Sequence, residues 1–245
     1  MKKLFIMINI FIGYLFSDSL IVETVGILQL YTFTYDLWVK DTFAYVAADT
    51  GLIIINISNP ANPYVVKIDR THKKLRSIWI RDTLAYIGLR RRYFLVYNIK
   101  DPLSPYEIGR CSTGTAHYDI YIKGNLAYTA AGAGGLRIIS ISDPTNPVLV
   151  GANSDSSLIY LCGSGNYVYG VKQPHLLIYD VSDSSNPVII ASAYQVSMYF
   201  GPRIANWANY VAVTTMGYGP AGIDGGLYIY DVSNPYNPQL IYLSE

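Results

Sequence analysis

An eight-residue turn sequence returns five times along the chain, at Asn56–Pro63 (NISNPANP), Asn98–Pro105 (NIKDPLSP), Ser140–Pro147 (SISDPTNP), Asp180–Pro187 (DVSDSSNP) and Asp231–Pro238 (DVSNPYNP). The steps between first residues are 42, 42, 40 and 51. A period near forty, filled with strand-like segments, is the mark of a propeller array and makes one continuous repeat domain of the 245 residues. The turn explains its own composition. An Asx side chain bonds the backbone ahead of it, the first Pro presets φ, and the second Pro opens an outer edge strand where a missing N–H is harmless. The motif is therefore structural and holds no active site.

Each repeat reads as four strands. A short apolar segment around an aromatic (Leu37-Trp38-Val39, Ile78-Trp79-Ile80, Ile120-Tyr121-Ile122, Ile159-Tyr160-Leu161) leads through a polar hairpin turn into a second one (Ala44-Tyr45-Val46, Ala85-Tyr86-Ile87, Ala127-Tyr128-Thr129). The third segments, such as Leu52–Ile55 and Leu176–Tyr179, are continuously apolar, as befits strands covered on both faces. A fourth follows each Pro turn. No window carries apolar residues at helical spacing over three turns, which excludes a helical solenoid. The fold class expected is all-β, a propeller of about five four-stranded antiparallel blades. Closure is open, because Ile27–Tyr31 resembles an extra fourth strand ahead of the first repeat while Gln239–Ile241 already supplies one after the last. Alternatives to a five-bladed ring are a sixth, incomplete blade, an open arc that dimerises, or a shortened copy of a longer array.

Hydrophobic residues make up 51% of the chain and charged residues 14%, enough for a core and too little charge for disorder. A net charge of +1 argues against a nucleic-acid binder. Met1-Lys2-Lys3, the apolar run Leu4–Phe16 and Ser17-Asp18-Ser19 read as a secretory signal cleaved after about Ser19, leaving residues 20–245 as the mature propeller without a membrane span. The two cysteines, Cys111 and Cys162, are expected to be buried, unpaired thiols. No metal or cofactor motif is present, and no cofactor is expected.

Ala127–Ala130, Gly135–Pro144 and Asn146–Gly151 (AYTA, GLRIISISDP, NPVLVG) resemble the LVIVD repeat of bacterial and archaeal exported and surface proteins. The resemblance covers about residues 20–245, with Ser184 replacing the first Pro of the fourth turn and insertions in the fifth repeat. It implies a propeller and an exported location, secreted or at the cell envelope. It brings no catalytic residues with it.

Strand order puts the Pro turns and short hairpin turns on one uniform face and all irregular connections on the other. The irregular face is where ligand-binding residues are expected. The long connections of the fifth repeat place Tyr199, Phe200, Tyr218 and Asp224 there. Lys73, Lys74, Arg90, Arg91 and Arg92 belong to adjacent connections and form a basic patch suited to an anion. His72, His117 and His175 also fall on that face, at non-equivalent positions that do not make a metal site. Asp36 and Asp119 occupy equivalent first-strand positions near the central channel. Paired channel carboxylates would suit a glycoside-cleaving enzyme. The expected function is a non-catalytic binding or scaffold module for a glycan or an envelope protein, with that enzyme as the alternative.

Overall fold

A computed structural model of the protein describes residues 24–172, 174–194, 200–216 and 225–244, in which twenty strands and no helix occur. Blade 1 comprises β1 (Thr34–Lys40), β2 (Phe43–Ala48), β3 (Gly51–Asn56) and β4 (Tyr64–Asp69). Blade 2 holds β5 (Leu75–Arg81), β6 (Leu84–Leu89), β7 (Tyr93–Asn98) and β8 (Tyr106–Ser112). Blade 3 holds β9 (Asp119–Lys123), β10 (Leu126–Ala130), β11 (Leu136–Ser140) and β12 (Val148–Asn153). Blade 4 holds β13 (Tyr160–Ser164), β14 (Tyr167–Lys172), β15 (His175–Asp180) and β16 (Val188–Tyr194), and blade 5 holds β17 (Phe200–Trp207), β18 (Tyr210–Met216), β19 (Gly225–Asp231) and β20 (Gln239–Ser244). Every sheet is an antiparallel meander in chain order. The proposed signal segment lies outside the described residues. Among those described, no helix is long and apolar enough to cross a membrane.

The repeated turn works as its sequence predicts. In all five copies the fourth residue's Asx oxygen accepts a backbone N–H two residues on: Asn59 from Ala61, Asp101 from Leu103, Asp143 from Thr145, Asp183 from Ser185 and Asn234 from Tyr236, at 2.9–3.2 Å. Asp183 makes this bond with Ser184 behind it, so the turn is set by the Asx residue and survives loss of the first Pro. A bulge between third and fourth strands recurs in every blade, for instance at Ile54/Ile55 and Val96/Tyr97. It twists the outer edge away from flat pairing with other chains.

The hairpin between first and second strands needs a left-handed residue, supplied by Asp41, Asp82, Gly124 and Gly165 at φ 54–57°. Blade 5 puts Ala208 there at φ 47°. An alanine in this region carries about 1 kcal/mol of strain that glycine lacks. Ala208→Gly is accordingly expected to raise stability by about 0.5–1 kcal/mol in chemical denaturation.

Apolar clusters join consecutive blades. Tyr45 and Ile54 meet Ile78 and Ile87, Tyr86 and Val96 meet Ile120 and Ile139, Tyr128 and Ile138 meet Leu161 and Tyr179, and Tyr169 and Ile178 meet Val211 and Tyr230. A fifth cluster lies on the far side of blade 1, but its cover is Leu28 and Leu30 of the segment before β1, not blade 5. Innermost-strand residues that face the preceding blade are buried in blades 2 and 3, with Ile78 2% and Ile80 5% exposed. Their counterparts Leu37 and Val39 are 38% and 47% exposed. On the opposite rim Trp207 and Ile241 of blade 5 are exposed too. Five blades therefore surround a channel, and the described residues leave a seam between the fifth and the first.

Candidate functional site at the channel mouth

The first strands line the channel and run from the irregular face toward the hairpin turns. Counting back from those turns aligns Tyr35, Arg76 and Tyr118 at the mouth, then Asp36, Ser77, Asp119, Tyr160 and Arg203, then Trp38, Trp79, Tyr121 and Cys162 deeper in. Most of these residues wall an open cavity of about 460 Å³. The scaffold repeats while the side chains on this wall do not, so one site can be asymmetric.

At the mouth the Arg76 guanidinium stacks 3.9 Å from the centre of the Tyr35 ring and 5.7 Å from that of Tyr118. Its buried Nε has no hydrogen-bond partner. Arg203 lies 4.5 Å over the Tyr160 ring. Stacking on aromatic faces holds a guanidinium in place while its outer N–H groups keep their donor capacity. Below, Trp38 and Trp79 pack 4.6 Å apart and Tyr121 meets Trp79 edge-on at 5.9 Å, giving an aromatic shelf.

Asp36 and Asp119 do reach the same cavity. Each is a clip between blades. Asp36 Oδ1 accepts the Leu37 N–H at 2.9 Å and Oδ2 accepts the Ile78 N–H of blade 2 at 2.8 Å. Asp119 repeats this two blades on, with Ile120 N–H and Leu161 N–H of blade 4, both at 2.9 Å. Burial nevertheless wins over these bonds and pushes Asp36 up to about 6 and Asp119 up to about 7, the nearby Asp36 charge adding to the second shift. Cys162 shares the cavity, and burial together with Asp119 raises its pKa, so its thiol stays protonated. Both cysteines are free.

Lys73, Lys74, Arg90, Arg91 and Arg92 are all exposed, in the β4–β5 and β6–β7 connections. The structure brings the two together: Lys74 donates its N–H to the Asp49 carbonyl at 3.0 Å, and Arg90 donates to the Lys74 carbonyl at 2.9 Å. The patch adjoins the mouth. Burial raises the Tyr35 hydroxyl pKa, and the cations of Arg76 and Arg90 work against that rise. Tyr199, Tyr218 and Asp224 lie outside the described residues; Phe200 begins β17, and its side chain is likewise outside them.

The histidines serve separate structural ends. His117 is buried, with Nδ1 2.9 Å from Thr129 Oγ1 and Nε2 2.7 Å from Thr113 Oγ1, and burial lowers it to about 3, so it is neutral. His72 Nε2 meets Glu107 Oε2 at 2.5 Å, and His175 Nδ1 lies 3.3 Å from Ser192 Oγ. Among the described residues no group of three or more His, Cys, Asp or Glu could hold a metal ion.

The profile of the LVIVD repeat matches residues 33–71, 74–113, 114–154, 162–194 and 221–243, well over half of the chain. The chain belongs to the LVIVD repeat family. No curated protein matches this LVIVD-repeat chain. Solved structures do, at the level of fold. A functionally unknown protein from Desulfotomaculum acetoxidans aligns with TM-score 0.71 at 14% identity, over 91% of this chain and 74% of its own. The β-propeller domain of Cps50 (Swd1) from Myceliophteria thermophila aligns with TM-score 0.64 at 13% identity, over 87% and 73%. The computationally designed protein Ika8 gives 0.58 at 11%, over 86% and 74%. These likenesses establish the propeller and carry no activity.

Sequence reading placed the channel carboxylates and the basic patch but missed Tyr35, Arg76, Tyr118, Tyr160 and Arg203. Their signal was available in the alignment of first strands. It was obscured by register shifts between Thr34 and Asp36 and between Leu75 and Ser77, which make it ambiguous from sequence which residue faces inward.

Proposed function

We propose that this LVIVD-repeat protein is a non-catalytic binding module, exported to the cell envelope or beyond, that takes an acidic glycan at the channel mouth on its irregular face. The observation that carries this reading is Arg76, stacked on Tyr35 at the open end of a cavity floored by Trp38, Trp79 and Tyr121. An aromatic shelf suits the apolar face of a sugar ring, and a positioned guanidinium suits its carboxylate through paired N–H donors. The exposed Lys73, Lys74 and Arg90–Arg92 cations extend the positive potential outward and would steer a polyanion to the mouth. An exported location rests on the N-terminal apolar run and the family resemblance.

The glycoside-cleaving alternative draws support from the raised pKa values of Asp36 and Asp119. It is the weaker reading, because all four carboxylate oxygens already accept backbone N–H groups, two of them from the next blade. The test is calorimetric titration of the full chain with galacturonate oligomers and with neutral galactose oligomers. Binding confined to the acidic series, weakened at least tenfold by Arg76→Gln and by 0.5 M salt, is expected. Equal affinity for both series, or an indifferent Arg76→Gln, would overturn the reading; reducing ends released by wild type and not by Asp119→Asn would establish the enzyme instead.

A further inference from the structure

The segment before β1 occupies a place that belongs to a blade. Gly26 stands ten residues before Asp36, as Gly109 of β8 stands ten before Asp119. Gly109 lies against the Pro144–Thr145 turn of blade 3, and Gly151 of β12 lies against the Ser184–Ser185 turn of blade 4. Gly26 lies in the same way against the Pro60–Ala61 turn of blade 1. By position, residues 24–31 thus lie where the outermost strand of a blade preceding the first would run, although they are in no sheet. Leu28 and Leu30 cover the outer part of blade 1's free face, as Ile108 and Val150 of intact fourth strands help cover the blades after them.

The other three strands of that blade are not supplied by the described residues. Among the described residues, 24–31 make no backbone hydrogen bonds, although an outermost strand in this fold bonds along its length to the third strand. Between β1 and β17 the seam opens into a cavity of about 300 Å³ bounded by Thr34–Leu37, Val46 and Arg203. The walls of the seam are ordinary inter-blade faces left uncovered: Leu37 and Val39 on one side, Trp207 and Ile241 on the other.

We propose that this seam is a docking site for a three-stranded antiparallel β-meander of another polypeptide, which pairs with residues 24–31 and completes a sixth blade. The occupant is specified by what the seam presents. A row of unpaired backbone donors and acceptors takes an extended strand, and two apolar walls take a sheet with apolar residues on both faces. A second copy of this chain does not fit that description, since each of its described blades already holds its own fourth strand.

The probe is the chain's own repeat. A peptide of residues 115–140, which spans the first three strands of blade 3, is fused to a soluble carrier and added to the full-length protein. One-to-one binding is expected, with amide exchange of residues 25–31 slowed at least tenfold, and a scrambled peptide is inert. Val39→Glu tests the seam directly: the side chain is exposed in the free protein, so folding is retained, while a charge buried by the docked meander should weaken binding at least tenfold. Absence of binding, binding without protection of residues 25–31, or equal affinity for Val39→Glu would each overturn the proposal. Self-association that the peptide does not compete with would also overturn it, in favour of a second copy.

Discussion

Folding stability of this protein is expected to fall as pH is raised from about 4 to about 6. The cause lies in the channel. Asp36 and Asp119 keep their protons to about pH 6 and 7 in the folded chain, whereas free carboxyls release theirs near 4. Across this window the native state binds the two protons and the unfolded state does not. His117 acts in the opposite sense: native burial holds it near 3, so between pH 3 and 6.5 the unfolded chain binds a proton that the native state refuses. Two against one leaves the native state richer by about one proton, a slope of about −1.4 kcal/mol per pH unit and a loss of about 2–3 kcal/mol from pH 4 to 6. Below pH 4 the sign reverses. Asp143, Asp183 and Asp231 accept turn hydrogen bonds that hold their pKa values down, and they join His117 in destabilising the acid form. Urea denaturation at pH 3, 4, 5 and 6 should thus find a maximum near 4. Asp119→Asn removes one titrating carboxyl, leaves Asp36 and His117 to cancel, and should flatten the profile between 4 and 6 while lowering it by about 1–2 kcal/mol for the lost clip. A wild-type stability that climbs steadily from pH 4 to 7 would contradict the assignment.

The same carboxylates show how much of this protein is legible in its sequence. The repeat fixes strand order, and strand order fixes which loops share a face, so the basic patch and the approach of Asp36 and Asp119 to one channel follow from the spacing of 42 residues alone. Their task as clips does not follow. The groups they bind are backbone N–H donors of Ile78 and Leu161, each 42 residues on, and a backbone donor leaves no mark on residue type. Arg76 is a different case. A lone arginine between Leu75 and Ser77 reads as one more cation of a basic stretch, and only the stacking of Tyr35 and Tyr118 from neighbouring blades gives it a separate place. The redundant segment at Ile27–Tyr31 is visible in the pattern, but the structure leaves it outside every sheet. What the pattern could not settle was where that segment sits, because the seat is defined by a missing Cβ at Gly26 and a turn carbonyl in blade 1.

Gly151→Val should be among the most damaging single changes in the chain. Gly151 sits in the middle of β12 with an ordinary negative φ, so conformational freedom is not the reason for glycine. Space is. A Cβ at this position would overlap the Ser184 carbonyl oxygen and crowd Ser185, and backbone of a hydrogen-bonded turn has no rotamer by which to yield. Relief requires the Asp183–Ser185 turn to move off blade 3, which opens the cluster of Tyr128, Ile138, Leu161 and Tyr179. A loss of about 3 kcal/mol is expected, or a fall of about 6–12 °C in melting temperature for a chain of this size. Position 191, the counterpart in blade 4, is alanine, so a small side chain is accommodated at the next junction and Ala191→Gly should cost no more than about 1 kcal/mol. Gly26→Val then separates seat from blade. It meets the same kind of obstacle at Pro60, yet the segment it dislodges is unpaired and covers one edge of one blade. Its cost should stay near 1–2 kcal/mol, with Leu28 and Leu30 leaving the blade 1 face. Losses as large as for Gly151→Val would mean that the N-terminal segment already closes the ring by itself, and that the seam needs no further strands.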